Sequence, residues 1–384
     1  KGRSRRGSRR VLWGRRRSCL AVRPMLDGGS SQMPATLVRP AGRDAEIFND
    51  HIFSELRAYA QVPDEFVNSG WDIDQLKAGG GKGGTLMVRV GSAYIVKELS
   101  NGDHNALLHL AGSYGRHVRA GETLLCPIYL HFRDIATDRK FFAMRNSVGE
   151  GPFAALYDLK GCADDKTIEA GGKKIPAVHK RVWNVSMWLS RGSWSEARCR
   201  YYEGKQAARD VDIIMTPEQR SKFLQCVKRD TAWLASQRLM DYSLLVAIKE
   251  GCAGAETASG GSGPSALGHR PMLRKGTDGS EIALHVSIID FLQIWTTGKK
   301  VAKYIKFMET NKATIPPKAY ADRFCKHFEM RTKEVADELT TAAAPVVPPA
   351  GDCEAEGGPE ERLNSRPMPE SRENSRQMQP KVGM

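Results

Sequence analysis

Two apolar runs, each interrupted by a single aspartate, limit most what this 384-residue chain can fold into. In residues 239–248 (LMDYSLLVAI) Asp241 is the one charged side chain among nine uncharged ones. A stretch so rich in Leu, Val and Ile reads as a strand entering a core, where an unpartnered carboxylate is costly. A cation, a metal ion or a proton to be moved would each relieve that cost. Residues 286–292 (VSIIDFL) repeat the pattern, with Asp290 ending an apolar strand. Together with lysines earlier in the chain, the two carboxylates suggest a site for a metal-bound polyphosphate. The plainer alternative is that each Asp caps a turn or pairs with a surface Arg.

The length suits two lobes better than one small domain. Net charge is +14, unevenly spread: residues 1–43 hold twelve Lys or Arg against Asp27, the last 34 hold five basic and seven acidic residues, and the middle keeps about +5. A basic surface favours an anionic partner, whether nucleic acid, an acidic membrane leaflet or a phosphorylated substrate. Among the eight cysteines there is no CxxC pair and no zinc-like spacing with histidine, which suits a reduced intracellular compartment. No run approaches 18 apolar residues, so a membrane-spanning helix is not expected. A start at Lys1 suggests a fragment, and its Arg- and Ser-rich opening is similar to a transit segment.

Along the chain, residues 1–43 read as a disordered basic arm and 336–384 as a disordered tail rich in Pro, Glu, Ser and Arg. A helix is predicted near 45–60, with Phe48, Ile52, Phe53 and Leu56 on one side. The glycine-rich turn 78–85 precedes a hairpin of residues 86–90 and 94–99, turning at Gly91-Ser92. Glycines let backbone N–H groups approach phosphate oxygens, and Lys97 on the returning strand offers an ammonium to the same phosphates. The order is not that of a Walker A loop. Alternatively, the turn is only a mobile hairpin tip. Strands are expected at 123–132 and 140–146. Residues 216–237 should be helical, capped by Thr216 with Pro217 and Gln219 behind it, and with Phe223, Leu224, Val227, Ala232, Trp233 and Leu234 on the apolar face. Residues 251–280, rich in Gly, Ser and Ala, read as a flexible insertion.

Tyr157-Asp158-Leu159-Lys160-Gly161, Arg229-Asp230 leading to Met240-Asp241-Tyr242-Ser243-Leu244-Leu245, and Ile288-Ile289-Asp290-Phe291-Leu292-Gln293 occur in that order. Lys299-Lys300 and Tyr320-Ala321-Asp322-Arg323-Phe324 follow. From about 45 to 330 this pattern resembles the phosphatidylinositol phosphate kinases, distant relatives of protein kinases. The resemblance implies an α+β, two-lobed lipid-kinase fold with an antiparallel N-terminal sheet: an N-lobe over 44–156 and a C-lobe over 157–335. It also implies ATP and Mg2+ as cofactors. Gly81, Gly83 and Gly84 would cover the nucleotide, and Lys97 and Lys160 would face its phosphates. Asp241 would be the catalytic-loop aspartate and Asp290 the magnesium ligand. Lys299, Lys300, Ala302, Lys303 and Arg323 would meet the substrate or the membrane. The implied partner is a phosphoinositide headgroup at an acidic membrane surface. The implied location is cytoplasmic, peripheral on the cytosolic face of membranes, most of all the plasma membrane. No recognised RNA or DNA module accompanies the basic arm, so no specific nucleic-acid partner is expected.

Several positions depart from the family pattern. Cys162 stands where Ser is common, and Lys166 where an Arg would form a planar fork. The nearest non-adjacent acids after Lys97 are Asp103 and Glu122, neither a convincing ion-pair partner. Ala302 leans towards 5-phosphate 4-kinases, whereas Gln293 and the 320–324 string lean towards 4-phosphate 5-kinases. The favoured reading is a 1-phosphatidylinositol-4-phosphate 5-kinase, with a 5-phosphate 4-kinase or a catalytically weak phosphoinositide-binding scaffold as alternatives.

Overall fold

The computed structural model describes residues 37–38, 44–63, 77–78, 86–90, 92–176, 194–251, 270–276, 279–296 and 313–335. The fold is mixed α/β, built on two antiparallel sheets. The first holds β1 (Leu37–Val38), β2 (Ala45–Ile47), β3 (Lys77–Ala78), β4 (Leu86–Val90), β5 (Tyr94–Glu98), β6 (Ile128–Asp134) and β7 (Lys140–Arg145), in the order β1-β2-β6-β7-β5-β4-β3. The β4–β5 hairpin forms as expected, with Lys97 opposite Met87.

The predicted helix at 45–60 divides in two. Ala45, Glu46 and Ile47 alternate buried, half-buried and buried, the period of a strand, and only Asp50–Tyr59 is helix α1. Helix α2 (Asn101–Arg119) is capped by the Ser100 hydroxyl, which accepts from the Asp103 amide.

The second sheet holds β8 (Ala155–Leu159), β9 (Lys166–Ala170), β10 (Lys173–Lys174), β12 (Ser243–Glu250), β13 (Met272–Lys275) and β14 (Glu281–Ile289), in the order β10-β9-β8-β12-β14-β13. Helices α3 (Glu196–Asp210), α4 (Pro217–Ser236) and α5 (Pro317–Arg331) belong to the same part of the chain, and β11 (Ile213–Met215) pairs in parallel with β15 (Thr332–Glu334). Part of the flexible insertion predicted over 251–280 is strand instead. Residues 252–269 lie outside the described residues, but Met272 is buried and its strand forms the edge of the sheet.

Helix α4 begins with the predicted capping box: Thr216 Oγ1 accepts from Gln219 N, and Gln219 Oε1 accepts from Thr216 N. Its buried face differs from the apolar list. Ala232 is exposed, while Asp230 is fully buried. The reason is hydrogen bonding. Asp230 accepts from Thr123 Oγ1 at 2.9 Å and Leu124 N at 2.7 Å, and lies 2.7 Å from His117 Nε2.

That network relocates the start of the strand predicted at 123–132. Residues 124–126 join β14 instead: Ile288 N donates to the Leu124 carbonyl, and Cys126 N to the Ile288 carbonyl. One apolar core consequently contains Phe53 of α1, Tyr114 of α2, Leu125, Phe223 of α4, Ile288 of β14 and Phe324 of α5. Among the described residues no helix is long and apolar enough to cross a membrane.

Candidate active site

Antiparallel register brings three chain ends to one edge of the second sheet. Leu159 pairs with Leu244, and Ser243 with Ile289. Lys160 therefore leaves β8 where Asp241 is about to enter β12 and where Asp290 leaves β14. Both aspartates occupy left-handed backbone, at φ 65° and 58°. Asp tolerates that region better than most residues, at a cost on the order of 1 kcal/mol. Asp241 is thus not inside a strand, as its apolar surroundings had suggested. It stands on a turn before β12, with its side chain 26% exposed.

Beneath that turn the apolar run finds its use. Tyr242 is buried, its ring 4.6 Å from that of Tyr320 and 5.0 Å from that of Phe324. The Tyr320 hydroxyl donates to the Tyr242 carbonyl. Arg323 is half-buried on the same helix, its guanidinium 5.0 Å from the Tyr320 ring centre.

Two lysines meet the two aspartates. Lys160 Nζ lies 2.5 Å from Asp241 Oδ1 and 2.8 Å from the Asp241 carbonyl oxygen. Lys97, reaching from the first sheet, lies 2.5 Å from Asp290 Oδ1. The partner of the strand lysine is therefore Asp290, and neither acid nearest in sequence takes that place. Asp103 accepts from the Ser100 hydroxyl, and the Glu122 carbonyl accepts from Arg229. A third pair joins Lys166 to Asp158 at 2.8 Å. Asp158 is buried, and its Oδ1 takes no hydrogen bond among the described residues.

These charges adjust one another. Burial pushes the Asp290 carboxyl up, but Lys97 above all, then Lys160 and Lys166, hold it below the usual carboxylate range. Burial pushes the Lys160 ammonium down, while Asp241, Asp158 and Asp290 outweigh it and hold the group above its ordinary value. Three lysines and three aspartates leave the set close to neutral.

The donor set suits a magnesium-bound polyphosphate. Among the described residues no group of three or more His, Cys, Asp or Glu forms a metal shell. Mg2+ is commonly held by one or two carboxylates together with water and phosphate oxygens, and the Asp290 carboxylate is 46% exposed and open to that role. The Lys97 and Lys160 ammoniums supply point charges for phosphate.

Of the residues singled out in the sequence, Lys97, Lys160, Asp241 and Asp290 come together here. Gly81, Gly83, Gly84, Lys299, Lys300, Ala302 and Lys303 lie outside the described residues. Sequence reasoning passed over Asp165, which is 2% exposed beneath Lys160. Its signal was only its position, five residues after Lys160 in a loop with a second acid, Asp164.

Comparison with known proteins supplies the family. A family model described as Phosphatidylinositol-4-phosphate 5-Kinase matches residues 72–270 and 264–331. The chain is 22% identical over 314 residues to the 1-phosphatidylinositol 3-phosphate 5-kinase FAB1 of Saccharomyces cerevisiae, a match covering 76% of this chain and 12% of that protein. The chain therefore spans about an eighth of the length of that curated relative. Its ordered motifs, its paired lysines and aspartates and the extent of the family match make this chain a member of the phosphatidylinositol phosphate kinase family.

Proposed function

We propose that the chain transfers the terminal phosphoryl group of ATP, with Mg2+, to the inositol 5-hydroxyl of phosphatidylinositol 4-phosphate, producing the 4,5-bisphosphate. The observation that carries this reading is the convergence of Lys97, Lys160, Asp241 and Asp290 at one sheet end. In this reading the two sheets are the cores of two lobes, 44–156 and 157–335, with the nucleotide between them. The glycines at 81, 83 and 84 cover it. Lys299, Lys300, Ala302, Lys303 and Arg323 face the lipid at the cytosolic side of an acidic membrane.

Bound Mg2+ neutralises charge on the polyphosphate and polarises the phosphoryl group to be transferred. Asp290 would hold that ion. Lys97 exchanges Asp290 for phosphate oxygens, a trade between two anions that leaves the ammonium paired throughout. Lys160 keeps Asp241 oriented and lends positive charge where it develops on the transferred group. Asp241 receives the proton of the inositol hydroxyl as its oxygen bonds to phosphorus and the bond to ADP breaks.

The test is phosphorylation of separate 3-, 4- and 5-monophosphate lipids in vesicles, using labelled ATP and resolving the product isomers. Label in the 4,5-bisphosphate from the 4-phosphate lipid is expected. A second reading draws on the name of the yeast relative, which acts on a 3-phosphate lipid, and label appearing only from that lipid would favour it. Ala302 favours the 5-phosphate lipid. Vesicle binding without label in any lipid, from a folded protein, would leave the scaffold reading in its place.

A further inference from the structure

We propose that Asp165 is a positioning residue for phosphoryl transfer, its carboxylate clamping the Lys160-Gly161-Cys162 turn so that the Lys160 ammonium stands on Asp241. This inference rests on the reading of Lys160 and Asp241 as parts of the transfer site. Asp165 Oδ1 accepts from Lys160 N at 2.6 Å and from Cys162 N at 3.3 Å, and Asp165 N donates back to the Cys162 carbonyl at 3.0 Å. The loop is thus closed on itself by three hydrogen bonds around one buried carboxylate.

Its neighbours leave the turn little freedom. Gly161 sits at φ 67°, and a Cβ there would come within 2.9 Å of His327 Cβ on α5. Lys205 of α3 closes the other side, donating to the Ala163 carbonyl at 2.6 Å and the Asp165 carbonyl at 3.0 Å. A lysine side chain has four rotatable bonds, so holding its backbone is what gives the ammonium one address.

The clamp is built on a group that titrates. The charged and titratable groups facing it are Asp158 from β8, Lys205 from α3 and His327 from α5, whose Nε2 is 4.0 Å from Asp165 Oδ2. Arg323 of α5 and Asp164 act on the adjoining Cys162. Burial, against the pull of the Lys160 and Cys162 amides, pushes the Asp165 carboxyl up to about 6. Burial and the cations Arg331 and Arg323 push the His327 imidazole down to about 4, leaving it neutral where Asp165 titrates. Protonation of Asp165 weakens its acceptor oxygen and loosens the turn.

The experiment measures kcat and the ATP KM from pH 5 to 8 for the wild type, Asp165→Ala and Asp165→Asn, on the lipid the wild type phosphorylates, with melting curves for each. Asp165→Ala is expected to lower kcat about tenfold to a hundredfold with the ATP KM within about twofold. Asp165→Asn keeps an acceptor for both amides. Like the protonated acid it is a weaker, neutral acceptor, so at pH 7.5 it should already show the lowered kcat that the wild type reaches only on its acid limb, with no further fall near pH 6. An Ala variant that folds and turns over like the wild type overturns the proposal. An Asn variant with an unchanged acid limb does the same, and this arm decides if the Ala variant fails to fold. A wild type inactive on every lipid overturns the reading of the site itself. An active wild type with an indifferent Ala variant overturns only the role of Asp165.

Discussion

The two lysine–aspartate pairs have nearly the same short contact and quite different settings. Lys160–Asp241 is internal to one sheet end. It has a second bond to a main-chain carbonyl, aromatic rings packed beneath it and a buried carboxylate holding the turn from which the lysine departs. Lys97–Asp290 spans the two sheets through one contact, and its carboxylate is far more open. The first pair has the construction of a fixed part, the second that of an exchangeable one. A short distance between opposite charges therefore says little about permanence. What surrounds the pair decides it.

The sharpest break of this comparison is Asp290→Asn. On the proposed reading of Asp290 as the magnesium ligand, lipid phosphorylation should fall by roughly a thousandfold or more. Stability should change by less than about 1 kcal/mol, as expected for an open pair. A melting temperature that drops steeply would show that this pair is structural after all.

Lys160→Met comes next. Activity should fall by about a hundredfold or more, and here stability should fall too, by about 1 to 3 kcal/mol, since Asp241 is left with a lost charged hydrogen bond. Denaturant titration beside the kinase assay separates the two effects. Equal stability losses for the Lys160 and Asp290 variants would erase the distinction.

Lys97→Arg preserves charge but changes shape. A loss near tenfold in kcat/KM, mostly through a higher ATP KM, is expected if Lys97 trades Asp290 for phosphate. An unchanged KM would tie Lys97 to Asp290 alone.

Acid titration sharpens the same contrast through two carboxylates shifted in opposite directions. The Asp290 contribution is present above the ordinary carboxylate value and is lost as pH falls through its lowered one. The Asp165 contribution is full below about pH 4 and is eroded as pH rises to about 6, by on the order of 1 to 3 kcal/mol. Melting curves of Asp165→Asn against wild type should diverge across that window, with the variant the more stable above it. Tyr320→Phe is the smallest change. Losing the hydroxyl that serves the Tyr242 carbonyl should cost about 1 kcal/mol, read as a lower melting temperature.

Much of the site was legible because a charge in an apolar run is conspicuous: Asp241 and Asp290 announce themselves, and the strand and turn pattern places Lys97. The pairing was not legible. Lys97 meets an aspartate 193 residues away, across strands whose neighbours no local spacing specifies. The capping box at Thr216 could be read because every participant lies within four residues. The burial of Asp230 and Asp165 could not, since an acid is ordinarily at the surface, and only the folded chain supplies their buried amide donors. The strand expected from residue 123 failed for the same reason, its first residues being drawn to β14 by partners far along the chain.

The bridge between residues 124–126 and β14 has a consequence for dividing the protein. A cut near residue 150 looks natural, since it falls between the last strand of the first sheet and the first strand of the second. Yet the later fragment would carry Ile288 without Leu124 and Cys126, and Asp230 without Thr123, Leu124 and His117. Each half would expose the other's buried polar groups. Two such fragments are thus suited to complementation, each recovering order only when mixed with its counterpart.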